Sequence, residues 1–124
     1  MARFISVCRA SISNNATLNS QTAVITGSTN SSGVPASTYG VILSILASNK
    51  LSNSNNVTVN LVKGGSTTTS LITSGIVPAQ SSLEFMTGNK MIVEPGDWIK
   101  VYSNTASAID ITVSYMLNPQ DTSI

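Results

Sequence analysis

The chain has no histidine, one cysteine, one tryptophan, and six Lys and Arg against five Asp and Glu in 124 residues. The missing histidine removes the commonest general base at neutral pH and the commonest metal ligand. A single cysteine, Cys8, excludes a disulfide within the chain, and it is expected to be a small buried hydrophobe. Charged residues make up 9% of the chain, against about a quarter in an ordinary soluble domain. The formal net charge is +1 and no two of the basic residues are adjacent. Such a chain offers no field to steer nucleic acid or an anionic membrane surface. Long apolar runs are missing too. The longest, "VILSILA" from Val41 to Ala47, falls far short of the roughly 18 residues of a membrane span. The opening "MARFISVCRAS" lacks the apolar core of a signal peptide. The expectation is a soluble, non-exported chain with no cofactor, no metal site, and no nucleic-acid or membrane partner.

Ser, Thr and Asn fill the space that charge leaves, at well over a third of the residues, as in "SNKLSNSNNVT". Ser and Asn favour caps and turns and Thr favours strands, so together they disfavour long helices. With 41% hydrophobic residues the chain carries enough apolar surface for one core, the expectation at this length. In "AIDITVSYML", Ile109, Ile111, Val113, Tyr115 and Leu117 alternate with Asp110, Thr112, Ser114 and Met116. That is the period of a half-buried strand. "NVTVNLVK" repeats it, with Val57, Val59 and Leu61 on one face and Thr58, Asn60 and Val62 on the other. Shorter strand candidates are "RFISVC", "QTAVIT", "YGVILSILA", "TSLIT", "SSLEFM", "KMIVE" and "DWIKVYS", separated by turn chemistry such as "KGGS", "VPAQ" and "EPGD". Many short strands without an amphipathic helix predict a single all-β domain over residues 1–124, an antiparallel β-sandwich or jelly-roll-like barrel. Residues 1–35 are expected to include an extended N-terminal arm or polar loop.

The stretch "VEPGDWIKV" concentrates Glu94, Asp97 and Lys100 beside the only tryptophan. Paired carboxylates suit acid–base work, but Pro95 and Gly96 suit the two central positions of a type II turn. Glu94, Pro95, Gly96 and Asp97 are therefore read as a structural turn with both acids solvated at the bend. Beyond it, if Ile99 and Val101 face the core, alternation sets Trp98, Lys100 and Tyr102 on the opposite face. Two aromatics flanking a cation suit a subunit interface or a stacked sugar or base, or simply a face covered by the chain itself. "KGGST" lacks the spacing of a phosphate-binding loop. No serine has a histidine to activate it, and the acids are dispersed, so no catalytic residue is assigned and the chain is expected not to be an enzyme.

Three segments, "GVPASTYGVILSILASN", "VTVNLVKGG" and "SGIVPAQSSLEFMTGNKMIVEPGDWIKVYSNTASAIDITVSYM", occur in an order that resembles a family of small β-sandwich virion structural proteins of tailed bacteriophages, of the cyanophage and marine phage type. The resemblance covers roughly the last three-quarters of the chain, and its specificity lies in the order of its motifs. It implies a non-catalytic structural subunit located in the virion and assembled in the host bacterial cytoplasm. Its expected partners are other virion proteins, with the major capsid protein first if the subunit is a capsid decoration (cement) protein. A neck, baseplate or tail-fibre component with carbohydrate or receptor binding is the alternative. A homo-oligomer, such as a trimer, is the expected state.

Overall fold

A computed structural model describes residues 3–15, 17, 20–26, 33–64, 67–85 and 91–119. They form nine strands: β1 (Arg3–Arg9), β2 (Thr22–Ile25), β3 (Thr38–Asn49), β4 (Asn55–Lys63), β5 (Thr67–Val77), β6 (Ser82–Glu84), β7 (Met91–Val93), β8 (Trp98–Ser103) and β9 (Ile109–Pro119). One sheet has the order β1-β9-β3-β6, with β7 also paired to β3, and the second has the order β2-β8-β4-β5. Every pairing among them is antiparallel. β6 and β7 share one strand position beside β3, so each sheet is four positions wide. Apart from the β4–β5 hairpin and the shared position, successive strands pass from one sheet to the other. This is the connectivity of a jelly roll, and the fold is an all-β sandwich.

The alternating strand of the sequence, β9, lies in the middle of the first sheet. Its Ile109, Ile111, Val113, Tyr115 and Leu117 are buried between the layers with Ile42, Ile45 and Ala47 of β3. The second sheet contributes Val57 and Val59 of β4 and Ile99 and Val101 of β8. Burying a branched aliphatic side chain stabilises by about 1.5–3 kcal/mol, so this two-layer core dominates the stability of a chain with few charges.

β3 changes phase midway. Gly40 and Ile42 face inward before a register shift between Ile42 and Ser44, and Ile45, Ala47 and Asn49 face inward after it. A β-bulge at Leu43 accounts for the change, because one extra residue flips which alternate positions meet the core. It also explains why the sequence shows an apolar run there instead of alternation.

The region expected to hold an arm or polar loop contributes, in its described residues, β1, β2 and the core residues Ile12, Val24, Ile25 and Val34. β1 pairs residue for residue with β9, from Arg3 opposite Leu117 to Arg9 opposite Ile111. The Arg9 guanidinium reaches across to donate to the Ala23 carbonyl of β2 at 3.1 Å, and the Ile12 N–H donates to the Ile109 carbonyl at 3.0 Å. Cys8, expected to be buried, is exposed. β1 turns Ile5 and Val7 toward the core, so period two sends Cys8 outward, where it accepts from the Thr112 hydroxyl at 3.6 Å.

Candidate functional site

The Glu94–Asp97 segment is the tight connection between β7 and β8. The Asp97 N–H donates to the Glu94 carbonyl at 3.0 Å, and Gly96 sits at φ 90°, the positive value that the second central position of a type II turn requires. The two acids differ in environment. Glu94 is exposed, as expected, but Asp97 is only 2% exposed, which corrects the expectation of a solvated bend.

Register supplies the reason. Val62 of β4 stands opposite Trp98, so the next pair outward brings Lys63 opposite Asp97. One Asp97 oxygen, Oδ2, accepts from the Lys63 ammonium at 2.7 Å and from the Glu94 N–H at 2.9 Å, while Oδ1 accepts from the Gly64 N–H at 3.0 Å. Lys63 Nζ also donates to Glu94 Oε1 at 2.7 Å. The carboxylate thus ties the 94–97 turn to the end of the β4–β5 hairpin.

Burial is the largest single influence on Asp97 and pushes its pKa up. The Lys63 hydrogen bond and the two backbone donors together outweigh it, leaving the carboxyl below its usual range. Lys63 is raised above 10.5, chiefly by its hydrogen bonds to Asp97 and Glu94. Acid–base catalysis by two carboxylates needs environments that keep one protonated. With Lys63 between Glu94 and Asp97, Asp97 is held ionised, and the arrangement acts as a clamp. Lys63 had no signal in the sequence, because its partners are more than thirty positions away.

Trp98, Lys100 and Tyr102 lie on the outer face of the second sheet, with Ile99, Val101 and Ser103 buried behind them. The Lys100 ammonium stands 4.5 Å from the centroid of the Trp98 ring, a cation–π contact that occupies one face of the indole. Beside this stripe on β4 are Val62, Asn60 and Thr58, which pair with Trp98, Lys100 and Tyr102 in that order. Thr58 and Asn60 are buried although they point away from the core. The Asn60 amide donates to Gln21 Oε1 at 3.0 Å and its oxygen accepts from the Ser70 hydroxyl at 3.1 Å. Thr58 Oγ1 accepts from the Ser74 N–H at 3.0 Å. The chain therefore binds the middle of this outer face to itself, and the aromatic stripe forms its wall.

Where β9 finishes beside the start of β3, Arg3, Pro35, Thr38, Leu117, Asn118 and Pro119 line a pocket of about 140 Å³. That is well below the roughly 300–1,000 Å³ of ordinary ligand sites. Among the described residues, no three of His, Cys, Asp and Glu come together in a metal-binding arrangement.

No protein-family model matches the chain, and no curated protein matches it. Among solved structures, the chain is similar to one of Bacillus endospore appendages, described as "a novel family of disulfide-linked pili", with a TM-score of 0.46 and 16% identity over 97% of this chain and 89% of that chain. A likeness at this level says nothing about function.

Proposed function

We propose that the chain is a non-catalytic structural subunit of a tailed-bacteriophage virion, a capsid decoration protein that binds the major capsid protein and assembles as a homo-oligomer on the capsid surface. The observation that carries this reading is the ordered motif series from Gly33 onward. Those motifs fall on β3, β4, the connection after β5, the 94–97 turn and β9, the frame of the sandwich. Outer faces made mainly of Ser, Thr, Asn and apolar side chains suit packing against neighbours, since little charge has to be desolvated. Jelly rolls recur in viral capsid and lectin domains, an analogy of fold alone.

The second reading, a neck, baseplate or fibre component that recognises carbohydrate, draws on the stripe of Trp98, Lys100 and Tyr102. One sedimentation experiment separates the two. As a decoration protein, the purified chain and its Trp98→Ala variant both pellet with capsids built from the major capsid protein alone. Failure of the unaltered chain to pellet with those capsids overturns the first reading. Binding to glycan-bearing cells that Trp98→Ala abolishes establishes the second.

A further inference from the structure

The outer face of the first sheet carries an apolar row that crosses all four strand positions. Register aligns Phe4 of β1 with Met116 of β9, Met116 with Val41 of β3, and Val41 with Ile92 of β7. Residues directly opposite one another in antiparallel strands share a face. Their chain neighbours Ile5, Tyr115, Leu117, Ile42 and Val93 lie in or against the core, which fixes all four on the outside. Phe4 is 73% exposed and Ile92 50%. Single exposed apolar residues are ordinary on a protein surface, but a contiguous series marks an interaction site.

We infer that this face pairs with the same face of a second copy of the chain. A two-fold interface sets a patch against itself, so it must tolerate meeting its own charges. The row is uncharged, and the next positions along the face are Ser6 opposite Ser114 and Ser114 opposite Ser44. Among the described residues, the charged groups on this face are engaged within the chain. The Glu84 carboxylate accepts from the Ser44 hydroxyl at 2.7 Å and the Ile45 N–H at 2.9 Å, and Asp110 pairs with Lys50 at 3.0 Å toward the opposite end from the row.

The size fits as well. β9 and β3 are 11 and 12 residues long, β1 is 7, and β6 and β7 are 3 each, so at about 3.4 Å per residue and about 4.8 Å per strand the face covers on the order of 600 Å², the lower end of the range that stable interfaces take from each partner. A standard stable interface takes about 800 Å² from each partner. A two-fold axis parallel to the strands and through the middle of the row sets Phe4 opposite the partner's Ile92 and Met116 opposite the partner's Val41. The pairing deepens the capsid reading by naming the partner of one face, and it rests on that reading only in taking the chain to act by assembly.

Sedimentation equilibrium of the purified chain over a wide concentration range tests it. The expected result is a species of twice the 12.9 kDa chain mass. Phe4→Asp and Ile92→Asp should each weaken self-association by at least about tenfold, and Thr68→Asp on the second sheet should leave it unchanged. Because Phe4 and Ile92 are exposed and lie on different strands, the two substitutions serve as independent probes, with thermal midpoints confirming that each variant is folded. A single-chain mass at every concentration, a three-chain species, or pairing that survives both substitutions overturns the inference. A single-chain species that still pellets with capsids would remove the pairing and leave the capsid reading standing.

Discussion

Asp97 shows at the scale of one residue how the chain uses its few charges. It is 2% exposed and satisfies two backbone N–H groups and an ammonium, so its removal strands donors that water reaches poorly. Asp97→Ala should destabilise the fold by about 2–4 kcal/mol, measured by urea unfolding. Lys63, whose side chain is 40% exposed, remains solvated when its partner is lost and adds only a surface pair's worth. The pKa directions give the pH dependence. Asp97 and Asp110 are both lowered from 3.8, so their stabilising contribution is present above that value and is lost as pH falls through their folded-state pKa values. Lys63 is raised above 10.5, so its contribution is present below that value and is lost only as pH rises through its folded-state pKa. The thermal midpoint should therefore hold level between these limits and fall in acid, and Asp97→Asn should make the acid fall shallower. The turn was legible from "EPGD", and the alternation of Trp98, Lys100 and Tyr102 was legible from period two. The burial of Asp97 was not, because local turn chemistry predicts a solvated acid and only the β4–β8 register brings Lys63 and Gly64 to it.

Among the elements, β3 is the strand on which most else depends, and a side chain completes its edge between β6 and β7. Between the residues of β3 that pair with β7 and those that pair with β6, the Ile45 N–H turns to Glu84 Oε1 at 2.9 Å, and the Phe85 N–H donates back to the Ile45 carbonyl at 2.9 Å. Glu84 thus holds the three-residue β6 on the sheet. Glu84→Ala should speed hydrogen exchange at the Ile45 amide while leaving amides in the β1–β9 ladder protected, which exchange followed by NMR would show. For β5 the sequence signals only the central "TSLIT", yet the strand spans Thr67–Val77. It is an edge strand, largely exposed and twice out of register with β4, so neither burial nor regular pairing imposes the alternation by which strands are recognised. Bulged, twisted edges are one way in which sheets avoid uncontrolled pairing. β4 departs in the opposite sense. Its polar face is buried by Gln21, by Ser70 of its hairpin partner and by the aromatic stripe, contacts across the fold that hydrophobic alternation does not encode.

For the whole molecule, the all-β sandwich followed from many short strands, frequent turns and the absence of helical periodicity. The strand order did not, because the pairing of β1 with β9 across more than a hundred positions leaves no local mark. The apolar row across the first sheet was hidden for the same reason. Phe4, Val41, Ile92 and Met116 belong to four separate segments, and only the registers line them up. In the proposed virion role, a clamped buried charge and outer faces that are mostly neutral among the described residues suit a subunit with permanent neighbours. The most direct test of that account is the copy number of the chain in purified phage particles, by quantitative mass spectrometry against the major capsid protein. A decoration protein should be present in numbers comparable with the major capsid protein. Presence at only a small fraction of that number, or absence from the particle, would contradict it.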